Sequence, residues 1–204
     1  ALQQPNRVEG KLTREEALEI IVSHTDPRAI FVSTTGMASR ELYEIRERNG
    51  VGHEKDFLTV GSMGHASQIA LGIALSKKNR QVYCLDGDGA ALMHLGGMAI
   101  IGTTKPENYF HIILNNGSHD SVGGQPTVGR DVDLVGVAKS LGYATAVKVS
   151  DESALVEALA TKQAGPHCIE VLVKKGNRKD LGRPKSTPVE NKQAFMHYIA
   201  EETT

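Results

Sequence analysis

Gln81-Val82-Tyr83-Cys84-Leu85-Asp86-Gly87-Asp88-Gly89-Ala90 is the stretch on which the fold turns. Its first five residues form a β-rich run suited to a strand covered on both faces. The run stops at Gly87-Asp88-Gly89. The pattern beyond it predicts a helix over 90–101, ended near Gly102 and Pro106. Tyr109-Phe110-His111-Ile112-Ile113-Leu114 is a second strand-like run, stopping at Asn115-Asn116-Gly117. Two strands joined through a helix form a parallel unit, because a parallel connection must cross the sheet.

The same alternation extends in both directions. Thr13-Arg14-Glu15-Glu16 reads as a capping box, and Leu18, Ile21 and Val22 continue it as one helical face. Strands are predicted at 29–32, 57–60, 146–149 and 167–173. Helices are predicted at 39–48, 61–76, 133–141, 152–162 and 189–200. Thr34-Thr35-Gly36 is a turn after the first strand. The expected fold is α/β, an open parallel sheet with helices on both faces. Residues 13–175 are the expected domain, 1–12 an N-terminal extension, and 176–204 a tail with a short helix. No internal repeat is present.

The chain has 204 residues, 40% hydrophobic and 23% charged, with a formal net charge of -1. That balance speaks against nucleic acid or an anionic membrane as a partner. No apolar run approaches the roughly 20 residues of a membrane span. Residues 1–10 are polar, with no apolar core of a signal peptide. Cys84 and Cys168 each lie in an apolar strand-like run. They are expected to be buried free thiols, which suits a reducing cytoplasm.

In an open parallel sheet, ligands bind beyond the carboxyl ends of the strands. Three segments lie there. Gly87 and Gly89 let backbone approach a phosphate, with the amides of Gly89 and Ala90 pointing at it. Asp88 adds a hard oxygen beside that phosphate, the usual way of holding Mg2+. Asn115-Asn116-Gly117-Ser118 ends the neighbouring strand, and Thr34-Thr35-Gly36 ends an earlier one. Gly-Asp-Gly alone is most often a turn, and Asn-Asn-Gly a common loop. Their separation by one helix and one strand is far more specific, because it sets Asp and Asn on one cation. A dinucleotide fingerprint is missing: Leu92 stands where its third glycine belongs, and no phosphate-loop Gly-Lys-Ser/Thr occurs.

The segment from Gly87 to Asn116 resembles the diphosphate–metal motif of thiamine-diphosphate enzymes, which opens with Gly-Asp-Gly and closes with Asn-Asn. The resemblance implies Asp88, the Asn116 side-chain oxygen and the Ser118 carbonyl as Mg2+ ligands. The spacing leaves Asn115 as an alternative to Asn116. Gly61-Ser62-Met63-Gly64 resembles the segment that presses an apolar side chain between the two cofactor rings. Met63 takes that place, and the Gly61 carbonyl would accept a hydrogen bond from the aminopyrimidine. With Thr35 and Gly36, these residues make the implied cofactor site.

Over a longer stretch the chain resembles phosphonopyruvate decarboxylases. The likeness is carried by 33–42, 56–72, 178–184 and the loop His119-Asp120-Ser121-Val122-Gly123-Gly124-Gln125-Pro126-Thr127. Sulfopyruvate decarboxylase β chains share much of that loop. The resemblance implies decarboxylation of a 3-substituted pyruvate, phosphonopyruvate first and sulfopyruvate as the alternative. His119 and Asp120 are the catalytic candidates. The family activates the cofactor with a glutamate from a separate pyrimidine-binding domain, and no second strand–helix series is present here. A partner domain or subunit, within a homo- or hetero-oligomer, is therefore expected. The chain alone is expected not to turn over. Two readings from other classes are a non-catalytic cofactor-binding or assembly subunit and a nucleotide-binding oxidoreductase.

Overall fold

The computed structural model describes residues 10–201. The expected N-terminal extension therefore lies mostly outside the described residues. The chain order is α1 (Arg14–Ser23), β1 (Ile30–Ser33), α2 (Met37–Arg48), β2 (Asp56–Leu58), α3 (Ala66–Ser76) and β3 (Val82–Gly87). It continues through α4 (Asp88–Met93), α5 (Gly96–Thr104), β4 (Tyr109–Asn115), β5 (Ser118–His119) and β6 (Gln125–Pro126). The last elements are α6 (Leu134–Ser140), β7 (Thr145–Val149), α7 (Glu152–Leu159), β8 (His167–Leu172) and α8 (Pro188–Glu201).

Six strands form one sheet in the order β2-β1-β3-β4-β8-β7, and every neighbouring pair is parallel. β5 and β6 form a separate antiparallel hairpin over the end of β4. Side chains alternate across the sheet. Phe31, Tyr83, Leu85, Phe110, Ile112 and Ile169 pack with α1, α2 and α7. Val32, Val82, Cys84, Ile113 and Cys168 pack with α3, α5 and α6. Both faces are thus covered, which is why the strands read as continuous apolar runs.

The strand order reverses between β1 and β3. From β1 the chain crosses to β2 on one side, and from β3 it crosses to β4 on the other. Such a switch point leaves a crevice beyond the carboxyl ends of the two strands. It holds Thr34-Thr35-Gly36 and Gly87-Asp88-Gly89.

Three expectations are corrected. The helix predicted over 61–76 starts only at Ala66. The residues before it form a loop with left-handed backbone at Gly61 (φ 71), Ser62 (φ 48) and Gly64 (φ 86). The helix predicted over 90–101 is two helices broken at His94, whose φ of -128 and ψ of 45 leave helical space. The break lets α5 close on α3: the Gly97 carbonyl accepts from Gln68 Nε2 at 3.0 Å, where a side chain on Gly97 would collide. The tail helix is longer than expected and packs into the core. Phe195 is buried with the α3 face, and Asn191 bonds the backbone of Asp56 and Leu58 at 2.9 and 3.0 Å.

The capping box on α1 is present: Thr13 Oγ1 accepts from the Glu16 amide at 3.2 Å, and Glu16 accepts from the Thr13 amide at 2.7 Å. Thr13→Ala is expected to cost about 1 kcal/mol in urea unfolding. The Thr13 backbone and hydroxyl hold the Glu16 carboxyl below its ordinary range. A depressed carboxyl stabilises the fold above its ordinary pKa and ceases to do so as pH falls through the lowered one. The deficit of Thr13→Ala should therefore shrink in acid.

Candidate active site at the sheet switch point

Several segments of the chain converge on one cleft. β3 delivers Asp86 and Gly87, and the start of α4 delivers Asp88, Gly89 and Ala90. The end of β1 gives Thr34 and Thr35, and the start of α2 gives Met37 and Ala38. The stretch from the end of β4 through β5 and just beyond gives Leu114, Asn116, Ser118, His119, Asp120 and Ser121. Met63 and Arg14 complete the lining.

Asp88 is 1% exposed. Burial raises its pKa. Hydrogen bonds from the Thr127 hydroxyl and from the Asp88 and Asn116 amides oppose this, as does nearby His119. Among the described residues no cation is paired with it. A desolvated carboxylate in this state favours any cation that arrives. Thr127 was not singled out by sequence reasoning, although it lies in the quoted loop; its hydroxyl donates to Asp88 Oδ2.

The two asparagines separate cleanly. Asn115 Nδ2 donates to Glu170 Oε1 at 2.7 Å and the Gly129 carbonyl at 2.8 Å, while its Oδ1 accepts from the Gly117 amide at 3.1 Å. Its polar atoms are committed inside the fold. Asn116 lines the cleft instead. Its Oδ1 accepts from the Ser118 amide at 3.0 Å, and its Nδ2 donates to Asp120 Oδ2 at 2.6 Å.

Thr35 Oγ1 accepts from the Gly61 amide at 3.1 Å, so it ties the β1 end to the Met63 loop. Met63 reaches over Gly89, where an added Cβ would lie 3.2 Å from Met63 Cε and 2.5 Å from His119 Cε1. Gly36 caps α2 with φ 103, a conformation open to glycine, and no side chain caps that helix. Gly36, Gly61 and Ser62 flank the cleft without lining it; Gly61 and Ser62 are exposed. The Thr34 hydroxyl is buried with no hydrogen-bond partner at the cleft wall. Sequence reasoning expected the loop from 120 to 125, and so Ser121, on the substrate side, but missed Arg14 and Asp86 as lining residues.

The donor set suits a small hard cation beside an anion. Asp88 and Asn116 offer oxygens, Gly87 and Gly89 leave room for an approaching group, and the orphaned Thr34 hydroxyl awaits an acceptor. No helix among the described residues is long and apolar enough to cross a membrane.

An open parallel sheet with such a cleft at its switch point defines a class of cofactor-binding α/β domain. Residues 32–171 match the family described as thiamine pyrophosphate enzyme, C-terminal TPP binding domain. The chain belongs to that family. It is 40% identical over 198 residues to a phosphonopyruvate decarboxylase of Streptomyces viridochromogenes, covering 96% of this chain and 48% of that protein. It is 35% identical over 191 residues to the sulfopyruvate decarboxylase β subunit of Methanococcus maripaludis, covering 93% and 98% respectively. The chain thus spans about half the length of the phosphonopyruvate decarboxylases it matches. Its fold is shared with a benzoylformate decarboxylase of Polynucleobacter necessarius, at a TM-score of 0.68 and 20% identity. That match covers 87% of this chain and 36% of the other.

Proposed function

We propose that this chain supplies the diphosphate- and Mg2+-binding half of a thiamine-diphosphate-dependent decarboxylase acting on a 3-substituted pyruvate, with phosphonopyruvate as substrate and phosphonoacetaldehyde and CO2 as products. The observation that carries the reading is the buried Asp88, without a salt-bridge partner among the described residues, beside Asn116 at the switch point. Asp88, the Asn116 oxygen and the Ser118 carbonyl would hold Mg2+. Gly87, Gly89 and Ala90 would receive the diphosphate, with Thr35 and Gly36 at its other side. Met63, with Gly61 and Ser62, would brace the rings. Bound there, the cofactor supplies an electron sink for loss of CO2 from a 2-oxo acid.

This chain's own residues would position, shield and order. Met63 closes one side of the cleft over Gly89, which narrows the path for water. His119 faces the same glycine and is the candidate for holding a proton near the reacting carbon. Among the described residues the carboxylates lining the cleft are Asp86, Asp88 and Asp120, and no glutamate lines it. The glutamate that activates the pyrimidine would therefore come from a partner domain or subunit, in a homo- or hetero-oligomer. Val60, Met93, Val122 and Val128 are exposed, on segments that carry cleft residues or, for Val128, next to Thr127, and would meet that partner. The buried free thiols of Cys84 and Cys168 suit a reducing compartment, the cytoplasm.

Sulfopyruvate is the competing substrate, favoured by the 98% coverage of the β subunit from Methanococcus maripaludis. CO2 release from phosphonopyruvate and from sulfopyruvate, with and without the pyrimidine-binding half of a relative, separates these readings. Turnover of phosphonopyruvate only with the added half is expected. Turnover by the chain alone contradicts the half-site reading, and a preference for sulfopyruvate moves the substrate. Failure on both, with cofactor bound, favours a non-catalytic cofactor-binding subunit.

A further inference from the structure

Arg14 opens the first helix, 106 residues before Asp120, yet its guanidinium reaches the cleft wall. It is 6% exposed and grips Glu41 in a bidentate pair, at 2.7 Å from Nε and 2.9 Å from Nη2. Its remaining arm, Nη1, donates to Asp120 Oδ2 at 3.0 Å. Burial alone would lower its pKa; hydrogen bonds and charge from Glu41 and Asp120 more than offset this and keep it protonated.

Asp120 Oδ2 accepts from two more donors: the Gly176 amide at 2.9 Å and Asn116 Nδ2 at 2.6 Å. A side-chain amide can face a cation with either end, and only the oxygen end can ligate. A carboxylate only accepts, so Asp120 can face only the amino end of Asn116. The Ser118 amide, which only donates, takes the oxygen side at 3.0 Å. The two contacts agree on one orientation. They leave the second lone pair of Asn116 Oδ1 unused.

We infer that Asp120, anchored by Arg14, is a positioning residue that fixes the Asn116 amide with its oxygen turned to the cation. The inference rests on the Mg2+ reading above and deepens it. Asp120 then acts through Asn116 and not on the substrate, which assigns a different role from the catalytic one expected of it. Outer partners of metal ligands commonly change metal affinity by about 10- to 100-fold. The arrangement also couples the cation site to α1 and α2 through Arg14 and Glu41, and to the segment after β8 through Gly176.

The test uses the full chain with saturating thiamine diphosphate and Mn2+ as a paramagnetic substitute for Mg2+, reading free Mn2+ by electron paramagnetic resonance. Asp120→Ala is expected to weaken Mn2+ binding by about 10- to 100-fold. Asp120→Asn, which keeps an acceptor at the same place, should recover most of that loss. In the Asn116→Ala background there is no amide left to orient, and no second carboxylate is set against Asp120. There Asp120→Ala should change affinity by only about twofold, the scatter expected of uncoupled sites. Equal losses in the two backgrounds would mean that Asp120 supports the fold rather than the amide, overturning the inference. Unchanged affinity in Asp120→Ala overturns it as well, while leaving the Mg2+ reading intact. No Mn2+ binding by the unsubstituted chain overturns both.

Discussion

Asp88→Ala should weaken Mg2+-dependent binding of thiamine diphosphate by about 100-fold or more, since it removes a charged ligand from a small cation. The same substitution should leave the unfolding midpoint unchanged or raise it. Asp88 is 1% exposed, and burial raises its pKa, so the folded chain carries a carboxylate whose desolvation is incompletely compensated. Removing it relieves that desolvation in the unliganded chain, at the loss of the hydrogen bonds from the Thr127 hydroxyl and from the Asp88 and Asn116 amides. Opposite signs for binding and stability are the mark of a group retained for its ligand. Calorimetric titration and thermal unfolding, run on the same samples, read both. A parallel fall in stability would mean that Asp88 serves the fold.

The second large effect is on stability. Arg46 on α2 and Asp56 on β2 form a bidentate pair at 2.8 and 2.9 Å, with side chains 4% and 0% exposed. The guanidinium also lies over the Phe31 ring, 5.1 Å from its centroid. Arg46→Ala leaves Asp56 buried without its cation, and such uncompensated charges cost about 3–5 kcal/mol. β2 leads directly into the Met63 loop, so loosening its start should also disturb the wall of the cleft. A double substitution, Arg46→Met with Asp56→Leu, removes both charges and should lose less than Arg46→Ala alone. Urea midpoints for the two variants check this. A loss from Arg46→Ala below about 1 kcal/mol, the range of an exposed pair, would contradict it.

The parallel α/β architecture was legible because every central strand is covered on both faces and so reads as an unbroken apolar run. The site was legible for a related reason. Gly87-Asp88-Gly89 and Asn116 each end a strand, and β3 and β4 are register neighbours, with Gly87 opposite Leu114. Strand ends that are adjacent in such a sheet must meet, so spacing carried the information. The break at His94 had a signal in Gly96-Gly97, masked by the apolar period that runs on through it. The docking of α8 had a signal in Asn191, Phe195 and Ile199, spaced four apart on one helix face.

Choosing between Asn115 and Asn116 required the structure. The spacing of the motif admits both, and only the contacts of Asn115 with Glu170 and Gly129 show it turned into the fold. Arg14 was read as an ordinary first-turn residue of α1, and nothing local marks it as reaching Asp120. Contacts across more than a hundred residues depend on the closed fold. For the same reason Asp120 was expected at the substrate, whereas its Oδ2 accepts from Arg14, Asn116 and the Gly176 amide.

Membership in the thiamine pyrophosphate enzyme family rests on the match over residues 32–171. What these residues do in this chain turns on the cation. The most direct measurement is a calorimetric titration of thiamine diphosphate into the chain, once with Mg2+ and once with a chelator. Saturable binding with Mg2+ and none with the chelator is the expected result. Equal binding under both conditions, or none with Mg2+ even when the pyrimidine-binding half of a relative is present, would contradict Asp88 and Asn116 as a diphosphate–Mg2+ anchor.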